Sequence, residues 1–142
     1  MTGVARGGYV LSPQQGRQPT GILIASGSEV TLAIQAQAKL AALGEDVSVV
    51  SMPSMENFAR QPLTYQTQVL PPHIRRRVAV EMGATLGWER YVGLDGTVLG
   101  LDHFGASGAA DQVLAANQFT VADLVRTYQQ THVGIGQQLR VI

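Results

Sequence analysis

The sequence predicts an α/β fold built around a parallel sheet. Short apolar runs alternate with amphipathic helical stretches, and one strand, helix and strand follow each other without a break. The apolar run Gly21–Ala25 leads into apolar residues at helical spacing up to Gly44, and a second apolar run ends at Pro53, because proline cannot donate to a sheet ladder. Two strands joined by a helix of this length form a parallel βαβ unit.

The predicted elements on either side continue this alternation. Residues 1–20 form a leader or linker with one short strand at 9–11. Residues 54–70 predict two short helical turns, interrupted at Pro62. Beyond them, a third strand is predicted in RRVAVEMG, a short helix or loop in ATLGWERYVG, and a fourth strand in GTVLGLD.

Two more helical stretches are predicted near the end of the chain, at 109–117 and 121–130. Thr120 and Asp123 have the spacing of a capping box at the start of the second stretch. We therefore divide the chain into a leader (1–20), a domain (21–131) and a tail (132–142).

The composition indicates one domain with a covered face. At 142 residues the chain is long enough for a single core. Only 14% of its residues are charged, below the roughly 25% typical of soluble domains, whereas 45% are hydrophobic. We expect part of the surface to pack against another domain or chain.

Charge and residue usage disfavour several classes of function. The formal net charge is zero and Lys39 is the only lysine, which argues against a nucleic-acid partner. No apolar run approaches the roughly 20 residues that span a bilayer, so no membrane role is predicted. The N-terminus has no basic segment followed by an apolar core. The absence of cysteine fits a cytoplasmic protein.

The turn from Ser26 to Glu29 is the first candidate site. It joins a strand to a helix, where backbone N–H groups can bind anions. Ser28 is the predicted N-cap and Gly27 supplies the turn, whereas Glu29 would repel a phosphate. The glycine motifs of dinucleotide sites and P-loops are absent. We favour helix capping and keep anion binding by Ser26, Gly27 and Ser28 as the alternative.

The loop from His103 to Asp111 is the second candidate site. Ser107 has Gly105 two residues before it, as in a nucleophile elbow, but Ala109 stands where that motif needs glycine. Nothing in the sequence places a histidine beside Ser107, so stand-alone hydrolase chemistry is disfavoured. His103 and Ser107 are kept as further candidate anion contacts.

The remaining polar and aromatic residues favour structural roles. The histidines and carboxylates do not show metal-ligand spacing, so no metal site is predicted. Glu81 ends the third strand, and we favour a role as an acceptor of backbone hydrogen bonds over a functional one. The arginine run 75–77 is typical of a solvated or salt-bridged strand entry, which we favour over a binding patch. Trp88 and Tyr91 are expected to pack an interface or a core edge. As apolar residues without an expected core role, Trp88, Tyr91 and Phe104 are the candidate interface residues.

Three stretches together resemble the C-terminal domain of transketolase. They follow family order and spacing from about Gly8 to Thr127, and they read GILIASGSEVTLAIQAQAKLAALGEDVSVVSMPSMENF, VLPPHIRRRVAVEMGATLGWERYVGLDGTVLGLDHFGASGAADQVL and NQFTVADLV. The resemblance implies a Rossmann-like, three-layer α/β/α sandwich with a five-stranded, mostly parallel sheet. The short strand at 9–11 is then its one antiparallel edge strand.

The resemblance also implies a role within a larger enzyme. Full transketolases, which act in the pentose phosphate pathway, transfer a two-carbon ketol unit between sugar phosphates as homodimers, using thiamine diphosphate and Mg²⁺ or Ca²⁺. The residues for this lie in the preceding pyrophosphate- and pyrimidine-binding domains, so no catalytic residue or cofactor is assigned to this chain. We expect a structural and assembly domain of a transferase, inactive alone. The alternative is a regulatory module that binds a small anion or a sugar phosphate.

Overall fold

A five-stranded sheet between two layers of helices forms the centre of the protein. The computed structural model describes residues 5–27, 29–81, 87–100 and 120–131. The sheet has the strand order β1-β3-β2-β4-β5, in which β1 is antiparallel to β3 and the other neighbours are parallel. The strands are β1 (Tyr9–Ser12), β2 (Gly21–Ala25), β3 (Val47–Ser51), β4 (Arg77–Glu81) and β5 (Thr97–Gly100). This confirms the mostly parallel sheet and its antiparallel edge strand.

The helices divide between the two faces of the sheet. On one face lie α1 (Glu29–Ala42) and α5 (Val121–Gln130). The other face carries α2 (Met55–Ala59), α3 (Leu63–Val69) and α4 (Glu89–Val92). Pro62 precedes the first residue of α3, which confirms the predicted break between two short helices. No helix within the described ranges is long and apolar enough to cross a membrane.

The central strand β2 supplies side chains to both halves of the core. All five of its residues are buried. Leu23 and Ala25 face α1 and α5, whereas Ile22 and Ile24 face the other helical layer. Because a strand covered on both faces cannot alternate apolar and polar side chains, its sequence reads as a continuous apolar run.

The ends of α1 and α5 follow local rules that the sequence displays. Gly44, with a φ of 90°, follows α1, and the next N–H, of Glu45, donates to the carbonyl of Leu40 at 2.8 Å. At the start of α5, Asp123 N donates to Thr120 Oγ1 and Thr120 N donates to Asp123 Oδ2, both at 3.0 Å. Both the predicted helix end and the capping box are confirmed.

The strand in the predicted leader belongs to the same sheet as the rest of the domain. Within β1, Tyr9 pairs with Ser51 and Val10 with Val50 of β3. Ser12 at the end of β1 donates to Gln37 Oε1 of α1 at 2.7 Å. The predicted helix at 109–117 and the tail at 132–142 lie outside the described residues.

Candidate functional site

The carboxyl ends of β2 and β4 mark the place where this kind of sheet binds ligands. The helix after β2 leads outward to β3, whereas the chain after β3 passes to the other side of β2 and enters β4. The connections therefore diverge between β2 and β4, which makes this the topological switch point. Ala25 pairs with Val80, so the residues that follow each of them lie side by side.

A side-chain hydrogen bond joins the two strands at this point. Ser26 Oγ donates to Glu81 Oε1 at 2.9 Å, and both side chains are partly buried. The sequence showed each residue at a strand end but gave no sign that they meet. The Glu81 carboxylate makes further interactions as well, as does that of Glu29.

The backbone after β2 forms a tight turn into α1. Gly27 has a φ of 61°, a left-handed conformation that favours glycine, although a Cβ here would have open space around it. The N–H of Glu29 donates to Ser26 O at 3.2 Å, and that of Val30 donates to Gly27 O at 3.3 Å. Ser28, the predicted N-cap, lies outside the described residues.

The electrostatics at the switch point oppose an anion. The Ser26 hydroxyl already donates to a carboxylate, and Glu29 in the first turn of α1 is only 9% exposed. A phosphate would have to displace the Ser26 bond and approach negative charge. Anion binding by Ser26 and Gly27 stays a prediction, and its other predicted contacts, Ser28, His103 and Ser107, lie outside the described residues.

The switch point also lacks the donors of a metal site in the part of the chain that is described. There, no three His, Asp or Glu side chains come close enough together to hold a metal ion. Among the described residues, a side-chain contact at this point is the bond from the Ser26 hydroxyl to the Glu81 carboxylate, which links two strands.

The arginine run before β4 forms three separate sets of contacts. Arg75 forms a salt bridge with Asp95, just before β5. Arg76 lies over the Tyr128 ring at 4.1 Å, donates to the Tyr128 carbonyl at 3.0 Å, and is 3.5 Å from Glu45. The predicted salt-bridged strand entry is confirmed for Arg75 and Arg76.

Arg77 is held by backbone carbonyls. Its Nε donates to Ile74 O at 2.9 Å, its Nη1 to Tyr91 O at 2.6 Å, and its Nη2 to Pro71 O at 2.8 Å and Leu70 O at 3.3 Å. These bonds tie the entry to β4 to the ends of α3 and α4. Burial lowers the pKa of the Arg77 guanidinium from its usual value.

An open groove of about 650 Å³ lies beside these arginines on the α2, α3 and α4 side of the sheet. Arg75, Arg77, Arg90 and Asp95 supply its charged lining, and Leu94 supplies part of its apolar lining. Sequence reasoning missed this groove, because its walls come from segments near residues 60, 75 and 93. The available signals were Arg75 and Arg77 at the entry to β4, Arg90 within α4 and Asp95 just before β5.

The comparison with protein-family models identifies the family of this chain. The model of the Transketolase-like TK C-terminal domain matches residues 7–120. The chain belongs to this family. The match confirms the resemblance seen in the sequence and includes every strand of the sheet.

Transketolases are also similar to this chain in sequence. The transketolase of Geobacillus stearothermophilus is 52% identical over 124 residues, which cover 87% of this chain and 19% of that protein. The Bacillus subtilis transketolase is 49% identical over 125 residues, which cover 88% of this chain and 19% of that protein. The chain therefore spans about a fifth of the length of these relatives.

Solved transketolases have the same fold over nearly the whole chain. A transketolase mutant from Pichia stipitis is 33% identical and superposes with a TM-score of 0.75, covering 92% of this chain and 18% of that one. The transketolase from Leishmania mexicana is 36% identical, with the same TM-score and coverage. These similarities confirm the α/β/α sandwich as the fold of a transketolase C-terminal domain.

In this transketolase-family domain, two of the candidate interface residues have a role in the core. Trp88 is 2% exposed and Tyr91 is 5% exposed. The Tyr91 ring packs edge-to-face on Phe58 with centroids 5.6 Å apart, and its hydroxyl donates to Met55 O at 3.3 Å. These contacts correct the expectation that Trp88 and Tyr91 lack a core role and favour the core-edge alternative, because both side chains pack in the buried cluster on this face of the sheet. Phe104 lies outside the described residues.

Proposed function

We propose that the chain serves as the structural and assembly domain of a transketolase and is inactive alone. The complete enzyme would transfer a two-carbon ketol unit between sugar phosphates with thiamine diphosphate and a divalent cation. Its preceding pyrophosphate- and pyrimidine-binding domains would be the partners of this domain, in a homodimer in the cytoplasm.

The observation that carries this proposal is the share of each relative that the chain covers. It covers 19% of two curated transketolases at about half identity, so more than four fifths of each relative lies elsewhere. A domain that is so small a part of each relative is suited to packing against the rest of such an enzyme.

Exposed apolar side chains support a packing role. In the described part of the chain, five large apolar residues are more than a third exposed, and they lie on the edge strand and near helix ends: Val10, Leu11, Leu43, Leu63 and Leu94. Leu63 is 72% exposed and Leu94 98%. Only 14% of the residues are charged, against the roughly 25% typical of soluble domains.

The test is to measure ketol transfer by the purified chain and by a hybrid enzyme. The hybrid joins this chain to the Geobacillus stearothermophilus transketolase in place of the segment that it matches. We expect no ketol transfer from the chain alone with thiamine diphosphate and Mg²⁺. The reference for the hybrid is the Geobacillus stearothermophilus enzyme truncated by the matching segment, and the hybrid should recover the dimerisation and activity that this truncated enzyme lacks. Ketol transfer by the chain alone, or a hybrid no better than the truncated enzyme, would refute the proposal.

A further inference from the structure

The groove beside the arginine run lies at the opposite end of the strands from Ser26 and Glu81. Arg75 and Arg77 come at the start of β4, and Asp95 comes just before β5, so the groove lies at the amino ends of these strands. Its volume of about 650 Å³ is within the range of small-molecule sites. Tyr91, one of the candidate interface residues, lines the groove, whereas the candidate anion contacts Ser26 and Gly27 do not.

The charges that line this groove are unbalanced. Three guanidinium groups, from Arg75, Arg77 and Arg90, line it together with one described carboxylate, that of Asp95. Asp95 forms its salt bridge with Arg75, whose side chain remains 57% exposed. The described lining therefore has an excess of positive charge beside the buried carboxylate.

Arg77 contributes a guanidinium group that backbone carbonyls hold in place in the groove lining. A guanidinium has five N–H donors, and the four hydrogen bonds of Arg77 all go to carbonyl oxygens. One N–H on Nη1 therefore has no acceptor in the described part of the chain, and no described carboxylate bonds this group. Since carbonyls hold the side chain in place, little conformational freedom is lost when an anion binds.

Arg90 and Leu94 add an exposed cation and an exposed apolar side chain to the groove. The Arg90 guanidinium carbon lies 5.9 Å from the centre of the Tyr91 ring, and its side chain is exposed. Leu94 in the following turn is almost completely exposed. An organic phosphate in the groove would have the Leu94 side chain as an apolar neighbour.

The geometry points to a binding site for a small phosphate-bearing molecule in this groove, held by Arg75, Arg77 and Arg90. Guanidinium groups bind phosphate through paired N–H donors, and two or three of them around one dianion form charge-assisted hydrogen bonds. The site goes beyond the proposed assembly role, because it assigns a ligand to this chain itself. It is also distinct from the turn after β2.

The experiment is a titration of the complete chain with inorganic phosphate at constant ionic strength, followed by amide and arginine Nε chemical shifts. We expect saturable shifts at Arg75, Arg77 and Arg90. Arg90→Gln and Arg75→Gln should each weaken binding about fivefold or more, because each removes one cationic partner of the dianion. Arg17→Gln, an exposed arginine in the loop between β1 and β2, is the matched control and should bind like the wild type.

Three outcomes would overturn the proposal. The first is a phosphate-induced chemical shift that does not saturate, or a phosphate affinity that is the same in Arg90→Gln and Arg75→Gln as in the wild type. The second is an equal response to acetate, which would show a general cationic surface and not a phosphate site. The third is a saturable shift confined to Gly27 and its neighbours, which would place the anion after β2. None of them bears on ketol transfer by the hybrid enzyme, so the two proposals fail separately.

Discussion

Ser26 Oγ donates a 2.9 Å hydrogen bond to Glu81 Oε1 across the ends of two adjacent parallel strands. This bond occupies the switch point of the sheet, where related architectures bind their ligands. The domain thus has the strand order of a ligand-binding sheet, but at the switch point its own Ser26 and Glu81 side chains bond each other. This matches an assembly role better than a phosphate site at the same point.

Replacing Glu81 tests whether its charge controls access to the turn after β2. Without the carboxylate, phosphate would face less repulsion near Ser26, so Glu81→Gln should raise phosphate affinity roughly tenfold at low salt. The measurement is the phosphate-induced amide shift of Gly27, with Glu56→Gln in the exposed part of α2 as the control. If Gly27 does not respond in either protein, the predicted anion site after β2 is wrong.

Arg77→Lys should destabilise the domain strongly. An ammonium group cannot reach the four carbonyls that the guanidinium bonds, so several buried acceptors would lose their donors. We expect the free energy of unfolding to fall by about 3 kcal/mol in urea denaturation. Arg75→Lys, which keeps the charge beside Asp95 on an exposed side chain, should change it by less than about 1 kcal/mol. Equal losses in the two variants would contradict the role given to the carbonyl contacts.

Gly21→Ala should destabilise the protein by overcrowding. A Cβ at this position would overlap the Tyr128 hydroxyl and lie 2.7 Å from the carbonyl of Arg76. We expect a loss of about 2 to 3 kcal/mol in the free energy of unfolding. Tyr128→Phe removes the hydroxyl, so the double variant should lose less than the sum of the two single variants. If the loss in the double variant equals the sum of the two single losses, the Tyr128 hydroxyl is not the group that crowds the added Cβ.

Tyr128 should make the stability of the domain fall at high pH. Burial is the main reason that the pKa of its hydroxyl is raised above the usual value of 10.0. The unfolded tyrosine therefore loses its proton first, and the stabilisation present below pH 10 is lost as the pH rises toward the folded pKa. Urea unfolding between about pH 9 and pH 11 should show a shallower decline in Tyr128→Phe than in the wild type. Parallel declines would exclude this tyrosine as the cause.

The sequence by itself predicted the elements whose causes are local. The apolar run of β2, the helical spacing of α1 with Gly44 after it, and the capping box of Thr120 and Asp123 all depend on residues a few positions apart. The arginine run as a salt-bridged strand entry was also predictable, since apolar strands are often flanked by charges. Recognition of the family added the strand count and the antiparallel edge, which periodicity alone does not give.

Only the tertiary structure decided which distant residues meet. Ser26 and Glu81 are 55 residues apart, and their contact depends on the register that places Ala25 beside Val80. The burial of Trp88 and Tyr91 depends on which way a four-residue helix faces the sheet, and so short a helix has too few residues to show a periodicity. The groove beside the arginine run likewise needs chain segments near residues 60, 75 and 93 to be brought to one side of the sheet. Local patterns determine elements because their hydrogen bonds are short-range, whereas sites arise from the packing of whole elements, which no single stretch encodes.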